Sequence, residues 1–144
     1  MAHKQEEREY DVLVWGATGF TGRLVAQYMA GRAKAAGLRW AVGGRSAERL
    51  AEVKRGLEAT HGELAEVGVV TGDSTKAADM EAVARTTRAV ISTVGPFTKY
   101  GTALVAACVK VGTHYADITG EAYLALPTLP SLSVFHSPRI ARLD

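Results

Sequence analysis

Short, nearly unbroken apolar runs alternate along the chain with longer stretches in which apolar residues return every three or four positions. The runs are Asp11–Trp15, Trp40–Gly43, Val67–Val70, Ala89–Val94 and His114–Ile118. Continuous apolar runs of this length suit strands covered on both faces, since a half-exposed strand alternates instead. Between them the spacing predicts four helices. The first runs from Thr21 to Ala36 and stops at Gly37. The second is capped by Ser46 and carries Leu50, Val53 and Leu57. The third follows Asp73-Ser74-Thr75, any of which can cap it, and carries Met80 and Val83. The fourth runs from Thr102 to Val111 and lines up Leu104, Val105, Cys108 and Val109 on one stripe. Strict alternation of this kind predicts an α/β fold with a doubly wound parallel sheet of about five strands. If the strand order is 3-2-1-4-5, the chain reverses direction between the first and fourth strands. A crevice then opens beyond their C-terminal ends.

The loop after the first strand is Gly16-Ala17-Thr18-Gly19-Phe20-Thr21-Gly22. A strand, a glycine turn and a helix in that order are what a dinucleotide phosphate site in a Rossmann unit requires, with a purely structural turn as the alternative. The turn lets backbone approach a pyrophosphate, and the helix N-terminus offers free N–H groups and its positive dipole end. The spacing is G-x-x-G-x-x-G, because Ala17 stands where the stricter pattern places glycine. Gly16, Gly19 and Gly22, with Thr18, Phe20 and Thr21 between them, are therefore the expected pyrophosphate residues.

Composition narrows the classes. The 144 residues are 47% hydrophobic, enough for one globular domain with a core. Seventeen basic against fifteen acidic residues leave a net charge of +2, which gives no electrostatic case for nucleic acid. Cys108 is the sole cysteine, so no intrachain disulfide forms; this fits the cytoplasm or another reducing compartment. No apolar run reaches the length of a transmembrane span. Residues 1–10 are charged, of mixed sign, and read as a solvated leader ahead of a domain over 11–123. Residues 124–144 hold Pro127, Pro130 and Pro138 and read as an irregular tail.

Four further groups face the expected crevice. Arg45 ends the second strand, where an NAD-preferring site carries an acid for the ribose hydroxyls. A cation there pairs with a 2′-phosphate instead, and Ser46 adds a hydroxyl or N–H, so NADP(H) is expected in preference to NAD(H). Asp73 follows the third strand and either accepts from the adenine amine or caps a helix. Val94-Gly95-Pro96-Phe97 follows the fourth strand and faces the glycine turn. Gly95 would allow close backbone approach near the nicotinamide ribose, and Phe97 would line the apolar side of the nicotinamide pocket. The alternative is an ordinary Gly-Pro turn. His114, Tyr115 and Asp117 read as structural hydrogen-bonding groups, with a catalytic pair as the alternative. No Tyr-x-x-x-Lys pair occurs, no metal-ligand spacing is present, and the catalytic residues stay unknown.

Taken together, Val14 to Gly22, Trp40 to Ser46, Ser92 to Phe97 and Tyr115 to Glu121 resemble the saccharopine dehydrogenase-like oxidoreductases, a group that includes the mycobacterial trans-acting enoyl reductases. The resemblance implies an N-terminal NAD(P)(H)-binding Rossmann domain. Gly16, Gly19 and Gly22 would hold the pyrophosphate, Arg45 the adenosine ribose phosphate, and Gly95-Pro96-Phe97 the nicotinamide side. It also implies a further catalytic and substrate-binding domain after the Asp117-to-Glu121 motif, which the proline-containing tail replaces. The expectation is thus a truncated, alternatively spliced or mis-predicted product, doubtful as an enzyme alone. The competing expectation is a non-enzymatic NADP(H) sensor or interaction module. The family includes lipid-linked members, so peripheral membrane association follows from the resemblance and not from any anchor in the sequence.

Overall fold

The computed structural model describes residues 7–62 and 66–120. Five parallel strands lie in the order β3-β2-β1-β4-β5. They are β1 (Tyr10–Trp15), β2 (Trp40–Gly44), β3 (Val67–Thr71), β4 (Thr87–Ser92) and β5 (His114–Asp117). The helices are α1 (Phe20–Arg32), α2 (Ala47–His61), α3 (Ala77–Thr86), α4 (Phe97–Tyr100) and α5 (Thr102–Val111). Val12 pairs with Trp40 on one side and with Ala89 on the other, so β1 is central.

Two cores sandwich the sheet, as buried parallel strands require. Val14, Trp40 and Val42 pack with Ala26, Met29, Leu50 and Val53 beneath α1 and α2. Leu13, Trp15 and Val90 pack with Met80, Val83, Leu104 and Cys108 beneath α3 and α5. The two tryptophans thus anchor opposite faces. β2 is buried along its whole length. Gly43 within it leaves room for Trp15, whose Cε3 would lie 2.6 Å from an added Cβ.

α1 inverts the usual amphipathic arrangement. Its buried side is Gly22, Ala26, Ala30 and Met29, while Phe20, Leu24 and Tyr28 face outward at 83%, 53% and 61% exposure. Small residues inward let the helix press close to β1, which the glycine turn demands. The Arg32 guanidinium covers Tyr28, 5.2 Å from its ring centroid.

Most differences from the expected elements have local causes. α1 ends at Arg32 rather than Ala36, because the Leu38 amide turns back to the Ala33 carbonyl at 2.9 Å and Gly37 adopts a positive φ of 64°. β4 begins at Thr87 and stops at Ser92, shifted from the expected 89–94. Thr87 is fully buried and its hydroxyl donates to the Ala89 carbonyl at 3.0 Å, which starts the strand directly after α3. β5 ends at Asp117, whose carboxylate accepts from the Thr119 amide at 3.0 Å and bends the chain one residue before Ile118. None of Asp73, Ser74 or Thr75 caps α3: the N-cap is Lys76, without a side-chain bond. Val109 is only half-buried, so the inner stripe of α5 continues through Ala107 and Val111 instead.

Within the stretch expected as a solvated leader, Arg8 is tied into the fold. Its guanidinium donates to the carbonyls of Ala84 and Val111 at 3.0 and 2.8 Å, near the C-terminal ends of α3 and α5. A cation suits both dipole ends. The expected tail over 124–144 lies outside the described residues.

Burial also predicts a pH dependence. Cys108, in the core under α5, has its thiol pushed up to about 12 by loss of solvent. Burial first, then the hydrogen bond to Asp117, raises the Tyr115 phenol. Tyr10 is likewise pushed up to about 12 by burial. Each raised value means that the folded chain holds a proton that the unfolded chain gives up near pH 9–10. The stabilisation is therefore complete below about pH 9 and is lost as pH rises toward 12. The loss approaches about 1.4 kcal/mol per pH unit for each group caught between its two values. Urea midpoints followed by circular dichroism should fall steadily between pH 8.5 and 11. Equal midpoints across that range would contradict this account.

Candidate functional site

The C-terminal ends of β1 to β4 converge on a cleft of about 260 Å³. After β1 come Gly16 and Thr18; after β2, Arg45; after β3, Asp73, Ser74 and Thr75; after β4, Val94 and Gly95; Tyr100 of α4 completes the wall. The fold thus brings residues from four separate loops to one place, at the point where strand order reverses.

The glycine turn is shaped by contacts that exclude side chains. Gly16 has φ of 91°, and an added Cβ would come within 2.7 Å of Val94 Cγ2 and 2.8 Å of Thr93 Oγ1. A Cβ on Gly22 would overlap the Gly16 carbonyl, which is main chain and cannot rotate away. Gly19 caps α1 in an extended conformation and its amide donates to the Gly16 carbonyl at 3.1 Å. Phe20 and Thr21 open the helix with exposed side chains.

The α1 N-terminus has no side-chain cap and no acidic residue in its first turn. α2 differs: there Ser46 Oγ accepts from the Arg49 amide at 3.3 Å, and Glu48 lies in the first turn. The opening amides of α1 and its positive dipole end are thus left for an anion, which is the donor set a pyrophosphate needs. Arg45 is exposed, lines the cleft with Gly16 and Thr18, and makes no ion pair among the described residues.

Asp73 Oδ1 accepts from the Thr75 amide at 2.9 Å and the Thr75 hydroxyl at 2.7 Å. These bonds hold its carboxyl below the usual carboxylate range, with Lys76 and Arg45 adding weaker attraction. It is an anionic acceptor at neutral pH. Its amide donates to Asp79 Oδ2 at 2.9 Å, which fixes the turn. Trp15 Nε1 donates to Ser74 Oγ at 3.2 Å across the cleft floor.

Of the expected site residues, Gly16, Thr18, Arg45, Asp73, Val94 and Gly95 line the cleft, whereas Gly19, Phe20, Thr21, Gly22, Ser46, Pro96 and Phe97 do not, and Phe97 is turned inward. It is 6% exposed and packs under the loop, so that a Cβ on Gly95 would lie 3.6 Å from its ring. Tyr100 takes the wall position three residues on. The Gly95–Pro96 peptide is cis, and Pro96 is exposed as the N-cap of α4.

Thr93 was absent from the sequence expectations. Its amide donates to the Trp15 carbonyl at 2.9 Å, and its hydroxyl lies 3.2 and 3.3 Å from the Trp15 and Gly16 carbonyls. It binds the loop after β4 to the glycine turn. The expected group His114, Tyr115 and Asp117 does not reach the cleft lining. The Tyr115 hydroxyl donates to Asp117 Oδ2 at 2.8 Å, a contact that fixes the end of β5.

Residues 12–134 match the saccharopine dehydrogenase NADP binding domain. The chain belongs to that family. Its dinucleotide is accordingly NADP. The trans-acting enoyl reductase of Mycobacterium tuberculosis is 44% identical over 115 residues, which cover 80% of this chain and 26% of that protein. The enzyme of the same name from Mycobacterium leprae is 42% identical over 116 residues, 81% of this chain and 27% of that one. The chain therefore spans about a quarter of the length of these relatives. Among solved structures, apo saccharopine dehydrogenase (L-Glu forming) from Saccharomyces cerevisiae matches at TM-score 0.66 and 18% identity, covering 85% of this chain and 24% of that one. The Citrobacter triphenylmethane reductase complexed with NADP(H) matches at TM-score 0.61 and 20% identity, covering 86% and 45%. These likenesses establish the fold of this family member. Among its described residues no helix is long and apolar enough to cross a membrane.

Proposed function

We propose that the cleft holds NADP(H) along the line from Arg45 to Gly95. Arg45 and Ser46 take the 2′-phosphate, Asp73 accepts from the adenine amine, and the amides opening α1 take the pyrophosphate over Gly16, Thr18, Gly19 and Gly22. Val94 and Gly95 flank the nicotinamide half, with Pro96 and Phe97 supporting that loop from behind. The observation that carries this reading is the uncapped, acid-free N-terminus of α1 together with a cleft-lining arginine that makes no ion pair among the described residues. A free helix N-terminus and a separate cation suit a ligand with phosphates at two places.

Bound there, the cofactor supplies a hydride; the protein supplies its orientation. In the longer relatives named as enoyl reductases, the acceptor would be a carbon–carbon double bond, and this domain would be the half that presents the hydride. The substrate-choosing groups would then belong to a further domain, as the resemblance to longer proteins implies.

Titration of the purified chain with NADPH and NADH, read by calorimetry, tests the placement. NADPH should bind at least tenfold tighter, a difference of about 1.4 kcal/mol. Equal affinities would remove Arg45 from the site, and no binding of either would remove the site altogether.

A further inference from the structure

Tyr100 walls the cleft beside Val94 and Gly95. Its position is set by backbone: the amides of Lys99 and Tyr100 both return to the Pro96 carbonyl, at 3.2 and 3.0 Å, and the Gly101 amide returns to Phe97 at 2.7 Å. The side chain therefore hangs from a closed turn at the end of β4 instead of a free loop. The Lys99 ammonium, which is not part of the cleft wall, lies 5.1 Å from the ring centroid. The ring is half-buried.

A dinucleotide anchored at Arg45 and at the α1 N-terminus has one direction left for its second nucleotide, past β1 to the end of β4. The groups lining the cleft there are Val94, Gly95 and Tyr100. Gly95 offers only backbone and Val94 a small branched surface. Of the two aromatic residues in the lining, Trp15 is buried with its indole bonded to Ser74 after β3, so Tyr100 is the one that offers a flat face here, and Phe97 is turned into the core. We propose that the Tyr100 ring packs against the nicotinamide riboside half of NADP(H) and fixes where that half lies. The inference rests on the cofactor placement proposed above. Stacking of a heterocycle on an aromatic side chain is tolerant of exact geometry and worth enough to be measured by truncation.

Two ligands separate this role from the rest of the site. NADPH carries both halves; 2′,5′-ADP carries the adenosine phosphates and lacks the nicotinamide riboside. Tyr100→Ala should weaken NADPH roughly tenfold, in line with aromatic–base stacking, and leave 2′,5′-ADP within about twofold of the parent chain on the same scale. Tyr100→Phe keeps the ring and should keep NADPH affinity. Because 2′,5′-ADP binding reports a folded site, it also checks the variant. Should the alanine variant unfold, Tyr100→Leu restores volume without a ring and takes its place in the same comparison. Unchanged NADPH affinity in the ring-less variant would overturn the proposal. So would an equal loss for both ligands, or a loss in Tyr100→Phe as large as in Tyr100→Ala. If the parent chain binds 2′,5′-ADP no better than adenosine, the cofactor placement itself falls, and the Tyr100 role falls with it.

Discussion

Gly22→Ala is expected to abolish measurable NADPH binding and to lower the urea midpoint of the chain. The added methyl would overlap the Gly16 carbonyl, with the Ala17 Cα only 2.8 Å away. Both obstacles are main chain, so no rotamer change relieves them; α1 must lift from the turn. Overpacking of this kind costs about 1–3 kcal/mol of stability. The alanine returns up to about 1 kcal/mol through helix propensity, which tempers the stability loss. Binding has no such offset. Each charge-assisted bond from an opening amide to phosphate is worth about 1.5–3 kcal/mol, and lifting the helix weakens at least two. The affinity should fall by about a hundredfold or more. NADPH titration beside urea unfolding separates the two effects. An alanine variant that binds within threefold of the parent would show that the turn is not the pyrophosphate site.

Arg45→Asp should convert the preference. Removing the guanidinium takes away a charge-assisted, two-pronged partner of the 2′-phosphate, and the new carboxylate repels it. Arg45 is exposed, so solvent screens part of both contributions. NADPH affinity should still fall on the order of a hundredfold, about 2.7 kcal/mol. NADH has no phosphate to lose. An acid at the end of β2 can accept from its ribose hydroxyls, so its affinity should hold or rise. Calorimetry with both nucleotides decides the point: parallel losses would mean that Arg45 acts on the fold or on the shared pyrophosphate. The substitution also takes a cation from beside Asp73, whose low carboxyl owes its largest part to Thr75. The adenine end should therefore survive the change.

The fold was legible in the sequence because its strands are short apolar runs, buried throughout at β2 though partly exposed at the edge strands β3 and β5. Trp40-Ala41-Val42 cannot be read as anything half-exposed, and all five strands lie within a few residues of their expected places. The strand order followed from the same alternation, since the crossovers leave few alternatives. What was not legible depends on short range and on packing. α4 is four residues long, too short for any periodicity, yet it decides that Tyr100 and not Phe97 meets the cleft. On α1 the close approach of helix to turn puts Gly22, Ala26 and Ala30 inward and leaves Phe20, Leu24 and Tyr28 exposed, which the spacing of apolar residues does not reveal. Asp73 has the chemistry of a helix cap, but its carboxylate is taken by Thr75, two residues before α3 begins. Thr93 looks like any strand-end threonine until two carbonyls from a strand distant in sequence are found beside its hydroxyl.

That threonine has a further effect. Its amide and hydroxyl fasten the last turn of one wall of the crevice to the first turn of the other. The two walls cannot drift apart without breaking these bonds. On the proposed placement, an incoming dinucleotide would meet a seat already in shape, and little of its affinity would be consumed in ordering this loop. The entropy of assembling the seat was settled when the chain folded, so recognition here is closer to a key entering a cut lock than to a hand closing.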